Sequence, residues 1–356
     1  MSSDRIRVAV IGASGYTGAE LLCILLGHPR VEITAVMARR AAGQRIDEVF
    51  PHLTGRLALP VEAFDADAVA QRADVAFAAL PHGESAPAVI AMRERGVTVL
   101  DLSADFRLAD PDAWAHWYGS PEHPTHPAPA LLAGAVYGLA ERHRDRLAGA
   151  KLVAVPGCYP TTAILALAPL LARGLIASDG IIVDAKSGAS GAGRTPSQST
   201  HLPEAAEGIR AYKVAGAHRH TVEIEQELTR VAGAPVQLLF TPHLVPMSRG
   251  ILSCAYAAPT DPARDDDSYR RALAEAYAGE PFIDVLPAGR LPDTAHVRGS
   301  NRVHVTAVYD KRSRRVLAMS ALDNLVKGAA GQAIQCMNLA LGLPETTGLE
   351  LTPMFP

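Results

Sequence analysis

Short apolar runs rich in β-branched residues recur through the first half of the chain, and helical patterns follow several of them. Such runs are typical of strands that are buried on both faces of a parallel sheet. The runs occupy residues 6–11, 31–37, 75–80, 97–102 and 151–155. Strands that alternate with helices in this way predict an α/β domain of the Rossmann type.

The pattern changes in the second half, where strand-like runs cluster with fewer helical crossovers between them. These runs occupy residues 180–185, 238–244, 251–257, 303–309 and 315–320, and the last two are expected to form a hairpin. The arrangement predicts an α+β domain with a mostly antiparallel sheet. A long helix is expected over residues 323–341, with small residues on several faces that allow close approach to another helix or to a cofactor. Asn324 lies at its start.

A glycine-rich turn joins the first predicted strand to the first predicted helix. Its spacing is G-x-x-G-x-x-G, in the strand–turn–helix context of a dinucleotide-binding fingerprint. Backbone N–H groups in such a turn can hold a pyrophosphate. The residues expected to contact the cofactor here are Gly12, Ser14, Gly15, Tyr16, Thr17 and Gly18.

Arg39 and Arg40 follow the second predicted strand, where an NAD-binding domain usually carries an acidic residue. A guanidinium at this place would pair with a 2′-phosphate, so NADP is the expected cofactor. Two solvated surface arginines are the alternative interpretation. Loops at the carboxyl ends of parallel strands face the ligand crevice, which adds Pro81 and His82 to the expected cofactor contacts.

Cys158 lies between an apolar strand-like run and an apolar helical pattern, with Gly157 before it and Pro160 after it. Proline suits the first turn of a helix, so Cys158 is expected at a helix N-terminus. Unpaired N–H groups and the helix dipole favour a thiolate there and can hold an oxyanion beside it. The alternative is a small buried side chain with no chemistry.

His218 and His220 begin a predicted amphipathic helix. Because residues two apart do not share a helix face, this spacing argues against joint metal binding, and no metal site is expected. One histidine can reach an active site while the other packs, and either can also be an ordinary surface residue. An imidazole suits proton transfer at neutral pH.

Residues 186–195 are rich in glycine and serine and end in a charge. They are interpreted as a nest of backbone donors near a nicotinamide, with a short linker as the alternative. The expected cofactor contacts are Ser187, Gly188, Gly191 and, from the later helix, Asn324. The candidates for binding substrate anions are Arg107, Arg194 and Arg249, because a guanidinium matches phosphate and carboxylate groups.

Residues 103–129 leave two points open. Asp105 and Arg107 form either a local ion pair or a substrate contact. Residues 110–129 are rich in Pro, Trp and His and are expected to be irregular. Trp114, Trp117 and Tyr118 are interpreted as packing anchors rather than as a binding platform.

Composition narrows the class of protein. The chain has 356 residues, enough for two domains, and its net charge of −3 with no basic run makes nucleic acid an unexpected partner. The four cysteines are scattered, which suits a reducing cytoplasm and gives no zinc pattern. No apolar run reaches membrane-spanning length, and no signal or transit peptide is expected before the first strand.

Seven segments, residues 12–18, 80–83, 103–107, 155–161, 187–194, 217–221 and 323–328, resemble those of the N-acetyl-gamma-glutamyl-phosphate reductase family in the same order. This family comprises NADPH-dependent enzymes of arginine biosynthesis. The resemblance implies that Cys158 is the nucleophile and that the segment 218–220 supplies the acid/base. It also implies homo-oligomers, an NADP-binding domain of residues 1–155 and 323–356, and a catalytic and oligomerisation domain of residues 156–322.

The expected reaction runs through a thioester. The Cys158 thiolate attacks an acyl phosphate, phosphate leaves, and hydride from NADPH yields a semialdehyde. His220 is the first choice as acid/base and His218 the second. Two alternatives stay open: a reductase of a related acyl phosphate, such as the carrier-bound aminoadipyl phosphate of lysine biosynthesis, and a non-enzymatic NADP-binding sensor.

Overall fold

The computed structural model describes residues 5–265 and 267–355. They divide into two compact units. The first comprises the residues up to Pro156 together with Ala329–Glu350, and the second comprises Gly157–Gly328 together with the residues after Glu350. The second boundary therefore falls after residue 328 rather than after the expected 322, and the end of the chain groups with the second unit.

The first unit is built on a parallel sheet. Its strands are β1 (Ile6–Ile11), β2 (Val31–Met37), β3 (Val61–Glu62), β4 (Val75–Ala78), β5 (Thr98–Asp101), β6 (Val136–Tyr137) and β7 (Leu152–Ala154). They lie in the order β3-β2-β1-β4-β5-β7-β6, and every pairing is parallel. Residues 8–11 of β1 and all of β4 are buried, which explains their apolar sequences. The predicted Rossmann-type architecture is confirmed.

Helices connect these strands. They are α1 (Tyr16–Gly27), α2 (Ile46–Val49), α3 (Ala66–Arg72), α4 (Ser85–Glu94), α5 (Pro111–Tyr118), α6 (Pro129–Gly134) and α7 (Ala140–Leu147). Helix α5 corrects the expectation that residues 110–129 are irregular throughout. Asp110 caps it by accepting a hydrogen bond from the Asp112 N–H (2.9 Å), and Pro111 occupies its first position. Trp114 and Tyr118 are buried packing residues, as expected.

The second unit contains a mixed sheet. Its strands are β8 (Ile181–Gly188), β9 (Arg210–Ala211), β10 (Leu238–Val245), β11 (Ile251–Ala257), β12 (Ile283–Val285), β13 (Val303–Asp310) and β14 (Arg315–Leu322). They lie in the order β12-β13-β14-β11-β8-β10-β9. Four pairings are antiparallel, including the predicted β13–β14 hairpin, and two are parallel. The prediction of a mostly antiparallel sheet is confirmed.

Helices cover one face of this sheet. They include α8 (Cys158–Ala172), α10 (His220–Ala232) and α11 (Ser268–Ala276), while α9 (Leu202–Ala205) is a short surface helix. The hydroxyl of Ser320 on β14 donates to the Thr162 carbonyl of α8 at 3.0 Å. The Tyr277 hydroxyl, just after α11, donates to the Leu165 carbonyl of α8 at 2.6 Å. Thus α8, which begins at Cys158, is the central helix of the layer.

The segment expected as one helix over residues 323–341 has three parts. Asp323 accepts hydrogen bonds from the N–H groups of Leu325 (2.8 Å) and Val326 (3.3 Å), a π-helical turn spans Val326–Ala330, and α12 spans Gly331–Ala340. The α-helix therefore starts later than predicted, after a capped π-helical turn. Helix α12 belongs to the first unit.

Candidate active site

Cys158 is the first residue of α8, and Gly157 is the N-cap. Strand β7 ends at Ala154, so three residues turn the chain from the sheet into the helix. The Thr161 N–H donates to the Gly157 carbonyl at 3.0 Å, which begins the helical hydrogen-bond ladder. The prediction that Cys158 lies at a helix N-terminus is confirmed. The positive end of the helix dipole favours a thiolate at this position.

The imidazole of His220 packs directly against Gly157. A Cβ atom on Gly157 would lie 2.4 Å from Nε2 of His220, well inside van der Waals contact. Only glycine therefore allows the ring to approach the residue that precedes Cys158. Helix α10 begins at His220, so the ring is held at the start of a packed element. The arrangement brings a proton-carrying group and a thiol to one turn.

Glu223, which sequence reasoning missed, lies one helical turn after His220. Its side chain is fully buried, and Oε1 accepts a hydrogen bond from the Gly157 N–H at 2.8 Å. Buried carboxylates are rare unless they are hydrogen-bonded. This contact therefore indicates that Glu223 fixes the conformation of the turn at Gly157. The i, i+3 spacing of a histidine and a glutamate at a helix start was the available sequence signal.

His218 lies in a cluster of aromatic rings. Its ring centroid is 5.2 Å from Phe240, 5.6 Å from Tyr212, 5.8 Å from Tyr159 and 4.7 Å from His220. Its Nδ1 accepts a hydrogen bond from the His220 N–H at 3.1 Å. Burial, followed by the charges of His220 and Lys213, lowers the pKa of His218 to about 3. His218 is therefore neutral at physiological pH.

Two tyrosines border the cysteine. The Tyr212 hydroxyl donates to the Tyr159 hydroxyl at 3.2 Å, and the Tyr159 hydroxyl donates to the His243 carbonyl at 3.1 Å. Burial, together with the nearby charge of Cys158, raises the pKa of Tyr212 to about 12. The pKa of Tyr159 is also raised, by burial first and then by Tyr212 and Cys158. Both phenols stay protonated and remain possible hydrogen-bond donors.

Gly328 lies against the other side of the cysteine and was also missed. A Cβ atom on Gly328 would lie 2.7 Å from Cβ of Cys158. The glycine belongs to the π-helical turn Val326–Ala330. A larger residue here would displace Cys158.

The glycine- and serine-rich loop after β8 is closed by its own hydrogen bonds. The N–H groups of Gly188, Ala189 and Ser190 donate to the carbonyls of Gly250, Met247 and Ser248 at 2.9, 2.8 and 3.1 Å. The predicted nest of open backbone donors is therefore wrong for these three residues. Their donors are used because β8 runs beside the loop that connects β10 and β11.

Asn324 connects the two loops. Its Oδ1 accepts from the Gly250 N–H at 2.8 Å, and its Nδ2 donates to the Ser190 hydroxyl at 2.9 Å. Ser187 is buried and donates to the Gly188 carbonyl at 3.1 Å. Gly191 lies close to both, since a Cβ atom on it would be 3.0 Å from the Ser187 hydroxyl oxygen. The fold thus brings together four of the predicted cofactor contacts, Ser187, Gly188, Gly191 and Asn324. In this structure they position the loop after β8.

The three candidate arginines have different surroundings. Arg249 is 29% exposed and lies 3.6 Å from the buried carboxylate of Asp323. Arg194 is exposed on the loop after β8. Arg107 is buried in the first unit, where Nε donates to the Val155 carbonyl and Nη2 to the Leu102 carbonyl, both at 2.8 Å. These contacts indicate that Arg107 braces the ends of β5 and β7.

The glycine turn of the first unit fits a dinucleotide. Gly12 has a φ of +81°, and a Cβ atom on it would lie 2.2 Å from the Ala79 carbonyl oxygen at the end of β4. The turn therefore lies at the β1–β4 boundary, where the strand order reverses. Tyr16, Thr17 and Gly18 begin α1 ahead of its first helical hydrogen bond, Ala19 N–H to Gly15 carbonyl. Gly15 donates within the turn, to the Gly12 carbonyl at 3.1 Å, so its N–H is not an open donor.

Arg39 and Arg40 form a short 3₁₀ turn directly after β2, and both are exposed. The Arg39 guanidinium is 81% exposed and has Glu84 3.9 Å away. Glu84 follows Pro81 and His82 in the loop between β4 and α4. His82 pairs through Nδ1 with the buried carboxylate of Asp105. Asp105 is therefore engaged by His82.

Two further findings concern the described residues. Within 5–265 and 267–355, no group of three or more His, Cys, Asp or Glu side chains is placed to hold a metal ion. No helix in this part of the chain combines the length and apolar character needed to cross a membrane.

Comparison with known proteins matches both units to one family. A family model described as the semialdehyde dehydrogenase NAD-binding domain matches residues 7–150, and one described as the semialdehyde dehydrogenase dimerisation domain matches residues 158–324. Among solved structures, the chain resembles aspartate semialdehyde dehydrogenase II from Vibrio cholerae complexed with ASA (17% identity, TM-score 0.70, 95% of this chain and 98% of that one). It also resembles the Candida albicans enzyme with NADP (17% identity, TM-score 0.70, 94% and 98%). These likenesses show the fold.

Closer relatives match over the whole length. The chain is 51% identical over 352 residues to the N-acetyl-gamma-glutamyl-phosphate reductase of Citrifermentans bemidjiense, covering 99% of this chain and 100% of that protein. It is 52% identical over 363 residues to the protein of the same name from Rhodospirillum rubrum, with the same coverage. The chain therefore belongs to the N-acetyl-gamma-glutamyl-phosphate reductase family.

Proposed function

We propose that the protein reduces N-acetyl-gamma-glutamyl phosphate to N-acetylglutamate 5-semialdehyde and phosphate with NADPH, in arginine biosynthesis, through a thioester on Cys158. The observation that carries the proposal is the contact of His220 Nε2 with Gly157, which precedes the helix-capped Cys158. A thiol beside an imidazole at a helix N-terminus is a nucleophile with its base.

The first step forms the thioester. His220 takes the thiol proton, the Cys158 sulfur attacks the acyl carbon, and a C–S bond forms as the bond from that carbon to the phosphate oxygen breaks. The positive end of the α8 dipole, at the helix N-terminus, would stabilise the negative charge that the carbonyl oxygen gains. The product is free phosphate and an acylated Cys158.

The second step releases the aldehyde. NADPH, when bound, supplies the hydride that reduces the thioester carbon. His220 gives its proton to the oxygen that carries the developing charge and recovers it as the carbonyl re-forms. The C–S bond then breaks and the Cys158 thiolate is regenerated, beside the neutral phenols of Tyr159 and Tyr212.

His220 suits this role better than His218. The two ring centroids lie 4.7 Å apart with tilted planes, but His218 lies in the aromatic cluster with a pKa of about 3 and cannot hold a proton at neutral pH. His218 instead accepts the His220 N–H at Nδ1 and so fixes the start of α10. Glu223 holds the Gly157 N–H and keeps the turn against the imidazole.

The remaining groups bind the ligands. Arg194 and Arg249 would bind the phosphate and α-carboxylate of the substrate, while Arg107 serves mainly as a brace. For NADPH, the turn Gly12–Gly18 would receive the pyrophosphate, and Arg39 with Arg40 the 2′-phosphate. Pro81 and His82, and the loop around Ser187, Gly188, Gly191 and Asn324, complete the set of proposed cofactor contacts.

The uncovered face of the second sheet is proposed as a homodimer interface. One row of apolar side chains crosses five neighbouring strands in register, and it comprises Leu239, Ile182, Tyr256, Leu317 and Val308. Ile182, Leu239 and Val308 are 41%, 50% and 40% exposed, which is unusual for a contiguous apolar row. The match to a dimerisation domain over residues 158–324 supports an interface in this unit. A cytoplasmic location is proposed because the chemistry requires a reduced Cys158 thiol.

The test compares substrates and a nucleophile variant. Phosphate-dependent reduction of NADP is measured with N-acetylglutamate semialdehyde and with its aminoadipate analogue, and the first is expected to be preferred. Cys158→Ser should lower turnover by at least ~10³-fold and leave NADPH affinity nearly unchanged, since the cofactor groups lie elsewhere. Preference for the longer analogue would indicate the lysine-pathway reaction. Retention of more than a tenth of the activity would exclude the covalent mechanism.

A further inference from the structure

Two buried carboxylates lie at the carboxyl end of β5, in the first unit and outside the nucleophile site. Asp101 is the last residue of β5 and Asp105 follows four residues later. Both side chains are fully buried. Ionisable groups in such positions need hydrogen-bond partners, and the identity of the partners indicates what the groups do.

Asp105 accepts hydrogen bonds from the loop after β4 and from the first turn of α4, which together form residues 81–86. The Gly83 N–H donates to both carboxylate oxygens, at 2.9 and 3.1 Å, and the Ala86 N–H donates to Oδ2 at 2.8 Å. His82 Nδ1 pairs with Oδ1. Burial alone would raise the pKa of Asp105, but these contacts outweigh it and hold the pKa below its usual range. The carboxylate is thus ionised, and it contacts His82, Gly83 and Ala86 within residues 81–86.

Asp101 holds the same loop at its far end. Its Oδ1 accepts from the Ser85 hydroxyl at 2.7 Å, and its Oδ2 accepts from the Ser103 hydroxyl at 2.8 Å. The Ser103 hydroxyl in turn accepts from the Asp105 N–H at 3.0 Å. The two carboxylates and Ser103 therefore form one hydrogen-bond network that holds residues 81–86.

Aromatic rings hold His82 from another side. Its ring centroid is 4.6 Å from that of Tyr118 and 6.2 Å from that of Trp114, both on α5. Trp114 and Trp117 are the two tryptophans of the chain, so tryptophan fluorescence originates from the helix that packs on His82.

The loop lies where a cofactor is expected. It begins just after Ala79, whose carbonyl contacts Gly12 of the glycine turn. Glu84 in the same loop lies 3.9 Å from Arg39, the proposed contact of the 2′-phosphate. Residues 81–86 therefore extend from the glycine turn to the end of β2, along the edge of the sheet at which nucleotides bind.

We propose that Asp105 is a positioning residue for the cofactor: by accepting hydrogen bonds from His82, Gly83 and Ala86, it holds residues 81–86 in the conformation that NADPH binds. The inference rests on the proposed function, because it takes NADPH as the ligand. A loop that is already ordered does not have to lose conformational entropy on binding, so the hydrogen bonds of Asp105 contribute to affinity without touching the ligand.

The first experiment measures NADPH affinity by titration calorimetry and by quenching of tryptophan fluorescence. Asp105→Asn keeps the shape of the side chain but loses the charge and one acceptor, so the Kd for NADPH should rise about 10- to 100-fold. The kcat at saturating NADPH and the alkylation rate of Cys158 in the cofactor-free protein should stay near wild type. Asp110→Asn, which exchanges one N-cap residue for another at the start of α5, is the matched control and should bind NADPH normally.

A Kd within twofold of wild type, or a lowered kcat with unchanged Kd, would overturn the proposal. His82→Leu should also weaken NADPH binding, and its combination with Asp105→Asn should cost less than the sum of the two single effects, because both act on one loop. Additive losses would show that the two residues act independently and would also overturn it.

The second experiment needs no cofactor. Amide hydrogen exchange in the cofactor-free protein should accelerate at Gly83 and Ala86 in Asp105→Asn and remain slow in β4 and β5. Unchanged exchange at both amides would count against the proposal. Failure of the wild type to bind NADPH would instead remove the proposed function, and this result is distinct because the exchange experiment still reports the state of the loop.

Discussion

Gly157 is the residue on which the chemistry of the second unit depends most directly. Its missing side chain leaves room for His220 Nε2, and its N–H is held by the buried Glu223. Any larger residue would force the imidazole away from the turn that carries Cys158, since a Cβ atom at 2.4 Å from Nε2 is not tolerated. The glycine thus lets the imidazole approach the turn that carries Cys158.

The two histidines should behave differently as a consequence. His220→Asn should lower kcat by ~10²–10⁴-fold with a modest change in KM, as expected for loss of an acid/base. His218→Asn should mainly raise KM and lower thermal stability, because an amide replaces a ring in the aromatic cluster. Steady-state kinetics from pH 5 to 9 provide the measurement. The acidic limb should vanish only in the His220 variant, since His218 with a pKa of about 3 is neutral over the whole range. Loss of that limb in the His218 variant alone would exchange the two roles.

Asp101 should make the folded state less stable as pH rises. Burial raises its pKa from 3.8 to about 6, so the folded protein binds a proton more tightly than the unfolded chain in this window. Stability then falls as pH increases from about 4 to about 6, by a cost of about 3 kcal/mol at full ionisation. Asp101→Asn removes the charge and keeps hydrogen bonding to Ser85 and Ser103. The Tm difference between variant and wild type should therefore grow in favour of the variant between pH 4 and 7. A difference that does not change with pH would show that Asp101 does not titrate in this range.

At the scale of elements, function concentrates where strands pass into loops and helices. The turn after β1, the arginines after β2, the loop after β4 and the cysteine after β7 all follow the carboxyl ends of parallel strands of the first sheet. In the second unit, the loops after β8 and before β11 bind each other through Asn324. The strands and their helices provide rigid supports, and the loops between them carry the chemical groups.

The segment after β2 should decide the choice of nucleotide. Replacing both Arg39 and Arg40 by Ala should weaken NADPH binding about 10- to 100-fold and leave NADH binding nearly unchanged, because only NADPH carries the 2′-phosphate. The preference of the wild type should also shrink at high salt, since both side chains are exposed. Arg45→Ala is the matched control, as Arg45 is already paired with Asp47 at 2.8 Å. Equal use of NADH and NADPH by the wild type would contradict the assignment.

At the scale of the whole molecule, the two sheets differ in what covers them. The strands of the first sheet are buried in the manner of a parallel α/β sheet. The second sheet has α8, α10 and α11 on one face and leaves the apolar row of Leu239, Ile182, Tyr256, Leu317 and Val308 on the other. A contiguous exposed apolar row marks an interaction surface, and a second copy of the chain is the partner proposed for it.

Charges placed on this row should separate the subunits. Leu239 and Ile182 are directly opposite each other on β10 and β8, so changing both to Glu would place two charges at one point of the face. Sedimentation velocity and light scattering should then show a halved mass at micromolar concentration. Leu202→Glu serves as the control, because Leu202 is 77% exposed on α9 and does not belong to the row. An unchanged mass in the double variant would place the interface elsewhere.

The sequence by itself determined the features that depend on neighbouring residues. Apolar runs predicted the main strands of both sheets, the glycine spacing predicted the turn after β1, and the residues around Cys158 predicted its place at a helix start. These features follow from local hydrophobic periodicity and turn geometry, which depend only on residues close to one another in the sequence. Short edge strands such as β3 and β9 escaped prediction, because two residues hold no period.

The tertiary structure alone decided which donors and acceptors meet. Glu223 reaches Gly157 across 66 residues, and Asn324 reaches Ser190 across 134. Long-range contacts of this kind occupy the backbone N–H groups of residues 188–190, which the sequence predicted to be open donors. They also make Arg107 a brace and surround His218 with aromatic rings. No local pattern records them, because a hydrogen-bond partner and the extent of burial depend on the whole fold, and these two quantities set the protonation state of each group.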